Sequence, residues 1–144
     1  MSAPELRPQA AFTSCVCLNL NRAARGTTRR YDAAFKDIGI TSGQFSLLAT
    51  LAPSSPIALG RLAEALGVDR TTLNRNIKPL EESGLVRTVA DPDDARVRAL
   101  ELTKAGQKKL SVAVPVWRRV QNEAEARIGG ETWTDLRLRL ATLS

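Results

Sequence analysis

The chain has 144 residues, 43% of them hydrophobic and 25% charged, and its 21 basic against 15 acidic side chains leave a formal net charge of +6. That length suffices for a buried core in one domain or two closely joined lobes, and the basic surplus suits a polyanionic partner. Histidine is absent and the two cysteines stand one residue apart, which excludes histidine metal sites, histidine-assisted triads, histidine pH switching and a secreted disulfide framework.

Residues 1–8, with Pro4 and Pro8, are expected to form a flexible arm. The run AAFTSCVCLNL after Arg7 faintly imitates an export signal, but it lacks a basic cluster and a small-x-small cleavage site. No run approaches ~18 consecutive apolar residues, so a cytoplasmic chain with no membrane partner is expected. A helix is predicted from about Gln9 to Asp37, with Phe12, Val16, Leu20, Ala23, Thr27, Tyr31, Ala34 and Ile38 as a stripe at 3.6-residue spacing. Gly26 inside it costs about 1 kcal/mol relative to alanine, and Gly39 ends it. Cys15 and Cys17 fall on this helix about 200° apart, so they cannot pair while that turn stays helical. Cys17 is expected beside the stripe near Ala24 and Phe35, and Cys15 on the side of Arg22 and Arg29. Small core residue and redox-active thiol are both open readings.

A second helix starts at Thr41 or Ser42, carries Phe45, Leu47, Leu48 and Leu51 inward, and is broken by APSSP at 52–56. Leu59, Leu62, Ala63 and Leu66 then mark the buried face of a third helix. Gly67 suits its left-handed end, and Asp69 is a good N-cap for the next. That helix, Arg70 to about Ser83, buries Leu73, Ile77 and Leu80 at i, i+4, i+7. Its opposite side collects Thr71, Asn74, Arg75 and Lys78, with Arg70 and Thr72 near the start. These side chains reach base edges and phosphates, and a helix, tight turn, helix and hairpin in this order is a winged helix-turn-helix. Pro79 removes a donor and is expected to bend the last turn.

After Gly84, LVRTVA and ARVRALEL alternate as strands around the turn residues DPDDA. Arg96 and Arg98 are expected on one face of their strand. Arg96 is the candidate minor-groove probe and Asp94 its brace. A long helix follows from Thr103 to about Ile128, with Pro115 expected to kink it. Its apolar members, Trp117 and Val120 among them, are too many for one narrow face, which points to a partner surface. After Gly129-Gly130, Trp133, Leu136, Leu140 and Leu143 form the stripe of a last helix.

The segments DRTTLNRNIKPLEESGLV and DPDDARVRALELT, followed by a lysine-rich helix at Thr103, resemble the MarR family of bacterial transcriptional regulators. The resemblance runs from about Ala11 to Leu143, and Ala95 departs from it by carrying less charge at the wing tip. It implies an obligate homodimer, a winged lobe in each subunit, and a palindromic operator released by a ligand or an oxidant. It also implies a reactive cysteine near the start of the first helix in the peroxide-responsive branch, where Cys17 falls with Cys15 beside it. Of the tyrosine pair that supports such a cysteine, Tyr31 is present and Asn21 stands in the other place. The competing effector is a small aromatic or phenolic molecule between dimer layer and lobe, with Arg22, Arg25, Arg29 and Arg30 as a candidate carboxylate clamp.

The expected fold is therefore mainly α with a small β-wing. A winged helix-turn-helix DNA-binding lobe spans 41–102, and a helical dimerisation layer comes from 9–40 and 103–144. The expected function is a dimeric, sequence-specific regulator of the repressor type, needing no cofactor or metal. The alternative is a winged-helix protein-interaction module without DNA readout. An enzyme is not expected, because neither a glycine-rich phosphate loop nor a nucleophile–base pairing is present.

Overall fold

The computed structural model describes residues 12–144; the expected arm over 1–8 and the expected helix start at Gln9 lie outside them. Helix α1 spans Val16–Phe35 and passes through a 3-10 turn, Lys36–Ile38, to Gly39 at φ 79°. It is not continuous with helical residues 12–14. Cys15 interrupts them with φ −62° and ψ 118°, and its sulfur accepts the Leu18 N–H. This corrects the expectation of one unbroken helix through both cysteines.

Helix α2 covers Ser42–Leu51. Its start is held by a reciprocal capping box, in which Thr41 Oγ accepts from the Gln44 N–H and Gln44 Oε1 from the Thr41 N–H. Asp32 of α1 accepts the Ser42 N–H at 2.7 Å, so two helices share one terminus. Strand β1 is Ile57–Ala58, α3 is Leu59–Leu66, α4 is Arg70–Glu82, and strands β2 and β3 are Val86–Ala90 and Arg98–Leu102. Helix α5 runs from Lys104 to Ile128 without a break at Pro115, and α6 from Gly130 to Leu140, ahead of a terminal 3-10 turn.

The sheet is antiparallel in the order β1-β3-β2, with Ile57 opposite Leu100 and Ala90 opposite Arg98. Two strands were expected; the third is β1, which is too short to show alternation. It exists because β3 has a second edge to pair. The Ser55 hydroxyl extends that edge by accepting the Leu102 N–H at 2.7 Å.

Two apolar clusters organise the described residues. The first joins Leu47, Leu48, Leu51, Leu62, Leu73, Ile77, Leu80 and Leu100 beneath α4 and the sheet. Fully burying a leucine side chain stabilises by roughly 1.5–3 kcal/mol, so this cluster fixes the attitude of α4. The second holds Phe35, Ile40, Phe45 and Ala113. Phe45 stacks on Phe35 at 5.0 Å between ring centroids and on Trp117 at 6.0 Å. Trp117, expected on the partner surface of α5, therefore packs within its own chain and ties α5 to α1 and α2. The N-terminal part of the α1 stripe is different: Phe12 and Val16 are 67% and 62% exposed.

Candidate nucleic-acid interface

Helix α4 has a different neighbour on each side. Leu73, Ile77 and Leu80 point into the core. Ahead of them Gly67 turns at φ 62°, and Asp69 accepts the Thr72 N–H at 2.7 Å. The Thr72 hydrogen bonds hold the Asp69 carboxyl below the usual carboxylate range, with a further contribution from Arg75. Thr72 is half-buried and serves this cap, whereas Thr71, Asn74, Arg75 and Lys78 are exposed. On one flank Arg70 and Asn74 line a crevice together with Arg96 and Arg98 of the wing. On the other, Asn76 rests on the first turn of α2, where a Cβ added to Gly43 would lie 2.9 Å from its amide nitrogen. Asn76 was not among the expected site residues; it falls between the buried and exposed rows of α4 at 3.6-residue phase.

The wing is a built turn. Asp91 Oδ1 accepts from the N–H groups of Asp93 and Asp94, and the Asp91 N–H closes back on Val97 O at 2.8 Å. Asp94 then takes Arg96 in a two-point grip, Nε to Oδ1 at 3.0 Å and the terminal nitrogen to Oδ2 at 3.1 Å. The pairing lowers the Asp94 carboxyl and raises the Arg96 guanidinium. Both sites are open to water, so the effect is on orientation more than on stability. Arg96 lies in the turn and not on β3 as expected; the strand begins at Arg98. The two arginines reach one crevice because the turn folds Arg96 back toward α4.

Charge at this face comes from arrangement. Residues 57–100 carry seven basic and seven acidic side chains. Among the described residues Arg70, Lys78 and Arg98 form no ion pair, while Arg87 is tied to Glu101 across β2 and β3. Asp94 is taken up by Arg96 and Asp69 by the cap of α4, and Glu101, just outside this stretch, by Arg87, while Arg70, Lys78 and Arg98 stand unpaired at or beside α4.

The cysteines and arginines of the first helix all face solvent. Cys15 and Cys17 are both exposed, and the Asn21 amide donates to Cys17 Sγ at 3.2 Å. Arg22, Arg25 and Arg29 line one solvent-facing recess with Asn19, apart from the apolar groove that α1 forms with α2 and α6. They make no clamp in that groove.

A wing packed beside the capped second helix of a helix-turn-helix, with free cations gathered between them, defines a winged-helix DNA-binding protein. Residues 40–97 match the MarR family model. The transcriptional regulator MosR of M. tuberculosis, solved in complex with DNA, is 42% identical and superposes with a TM-score of 0.80 over 90% of this chain and 93% of that one. Regulator YybA of Bacillus subtilis is 33% identical over 99 residues, and repressor NicR of Pseudomonas putida 31% over 100 residues. Those matches take in 68% and 67% of this chain but only 63% of each relative, just under two thirds of its length. The chain belongs to the MarR family of transcriptional regulators, DNA-binding proteins and not enzymes.

Proposed function

We propose that the protein acts as a cytoplasmic homodimer that represses transcription from a palindromic operator. The observation that carries the reading is the crevice uniting Arg70 and Asn74 of α4 with Arg96 and Arg98 of the wing. Helix α4 enters the major groove, where Thr71, Asn74 and Arg75 meet base edges, and Arg70, Lys78 and Arg98 grip phosphates. Arg96, aimed by Asp94, enters the adjacent minor groove, and Thr72 orders the helix start. A protein-interaction module would have no need of these unpaired cations.

Release follows from a small aromatic or phenolic effector, or from thiol oxidation. In the oxidative route a hydroperoxide takes Cys17 to the sulfenic acid and leaves as the alcohol. The Cys15 thiol then attacks that sulfur, water departs, and a disulfide remains. Support comes from the exposure of both thiols and from the break at Cys15, which means only the first turn of α1 has to open. The deciding experiment is a salt series of binding to the protein's own upstream DNA, repeated with oxidant and with reductant. Steep salt dependence with a specific footprint is expected, and binding no tighter than to random duplex would overturn the reading.

A further inference from the structure

The first turn of α2 is gripped from two helices at adjacent residues. Its Ser42 N–H donates to the Asp32 carboxylate of α1 at 2.7 Å. Beside it, Gly43 faces the Asn76 side chain of α4. A Cβ on Gly43 would lie 2.9 Å from the amide nitrogen of Asn76, 3.2 Å from its oxygen and 3.3 Å from the carbon that joins them. We propose that Asp32 and Asn76 are positioning residues for DNA binding: through this one turn they set the attitude in which α1 presents α4 to the duplex. The proposal rests on the DNA-binding and dimer readings above and adds the residues that hold the reading helix in place.

The turn is stiff enough to transmit position. Thr41 and Gln44 close it on itself through the capping box, and Gln44 is buried, so residues 41–44 move as one piece. The N–H groups of a first helical turn have no partner within their own helix. Thr41 serves the one on Gln44, and the one on Ser42 is left to a carboxylate from another helix, a charge-assisted and therefore strong bond. On the α4 side, nitrogen, oxygen and carbon of the Asn76 amide stand at similar distances from the Cβ position, so the flat group lies against Gly43. Rotating the amide about its last torsion leaves its carbon where it is. Farther along, Leu47, Leu48 and Leu51 of α2 pack with Ile77 and Leu80 of α4. Apolar packing is non-directional, so those leucines hold α4 close, and the approach at Gly43 fixes its tilt. The consequence reaches the duplex directly. Asn76 is half-buried between exposed Arg75 and buried Ile77, so any displacement of Asn76 carries the base-reading Arg75 with it.

The test is a double-substitution cycle in the full chain, read as affinity for its own upstream DNA against a random duplex. Gly43→Ala drives a methyl into the Asn76 amide. It is expected to weaken operator binding by about tenfold, within the range over which touching residues couple, and to leave the random duplex nearly unchanged. Its melting temperature should stay near the wild-type value, because alanine is the better helix former and offsets the contact; position is thereby separated from stability. Adding Asn76→Ala removes the obstacle and should bring operator binding back to within about threefold of Asn76→Ala alone. Losses that merely add would overturn the role of Asn76, as would a salt slope lowered by Asn76→Ala, the mark of a phosphate contact. Asp32 is read on operators whose half-sites are moved by one base pair in either direction. Asp32→Ala should flatten the preference for one spacing, while Asp32→Asn, which can still accept the Ser42 N–H, should keep it. Identical behaviour of these two variants would overturn the role of Asp32. A wild-type chain indifferent to spacing would sink the dimer reading instead, and the operator-to-random ratio of the same two variants would then decide the role of Asp32.

Discussion

At the scale of single residues, the cations of α4 divide by what they can touch. Lys78 is a point charge on a flexible stem and suits a phosphate, whereas Arg75 offers a planar fork to a guanine edge. Lys78→Ala is therefore expected to weaken all duplexes alike and to lower the salt slope by about one. Arg75→Ala should relax preference at one or two positions, at a cost on the order of 1–3 kcal/mol. Identical, uniform losses from both would show that the roles are misassigned. Asp69 tests the cap beneath them. Its carboxyl is held below the ordinary range by Thr72, so its contribution to stability is complete above the unfolded carboxylate value and disappears as pH falls through the lower folded one. Melting curves of wild type and Asp69→Asn should differ at pH 7 and converge only below about pH 4. A gap unchanged down to pH 3 would argue against the charged cap.

At the scale of elements, the wing is fastened to α5 rather than hinged on it. The Thr103 hydroxyl reaches Gly84 O at 2.7 Å and Leu85 O at 3.0 Å, and the Thr103 N–H also bonds Leu85 O. Gly106 lies flush on the same carbonyl, where a Cβ would come within 2.1 Å of Leu85 O and 2.5 Å of a Leu102 methyl. Gly106→Ala should cost about 2–3 kcal/mol, as overpacking against backbone does. Gly84 has open space around it and only a φ of 69° to protect, so Gly84→Ala should cost about 1–2 kcal/mol, the left-handed penalty. Denaturant unfolding ranks the two, and the reverse order would refute the weld. The start of α1 is the opposite case, a broken helix with two exposed thiols. Cys17→Ser should keep its operator under hydroperoxide, while Cys15→Ser should respond and become over-oxidised. Mass spectrometry that finds two free thiols on protein driven off DNA would leave only the small-ligand route.

At the scale of the whole molecule, the exposed large apolar residues, Val97 of the wing and Val112 apart, gather on the segments from the two ends of the chain. Phe12, Val16 and Leu20 on one side and Ile128, Leu138 and Leu143 on the other are all more than a third exposed. A surface of this kind calls for a partner, and a second copy related by a two-fold axis would set two α4 helices about one DNA turn, ~34 Å, apart. Deleting residues from Gly130 onward should give a monomer by light scattering that loses operator affinity along with the second half-site. Trp117 should stay covered in that monomer, because Phe45 and not α6 shields it. A truncated chain that remains dimeric would place the interface elsewhere.

Much of this architecture follows from the chain by itself. Helix α4, its buried row Leu73, Ile77 and Leu80, the cap at Asp69 and the turn at Gly67 depend on periodicity and on the local chemistry of a few neighbouring residues. The Asp94–Arg96 pair is equally local, two residues apart on one turn. Three features depended on contacts between distant segments and needed the tertiary structure. Strand β1 is two residues that pair only because β3 offers an edge. Trp117 is apolar wherever it points, and the Phe45 ring decided that it faces inward. The Tyr31 hydroxyl finds its acceptor in Gln121, 90 residues away in sequence. Periodicity records which residues avoid water, but which of two apolar surfaces meet, and which hydroxyl must donate, are settled by the partner that the fold brings into reach.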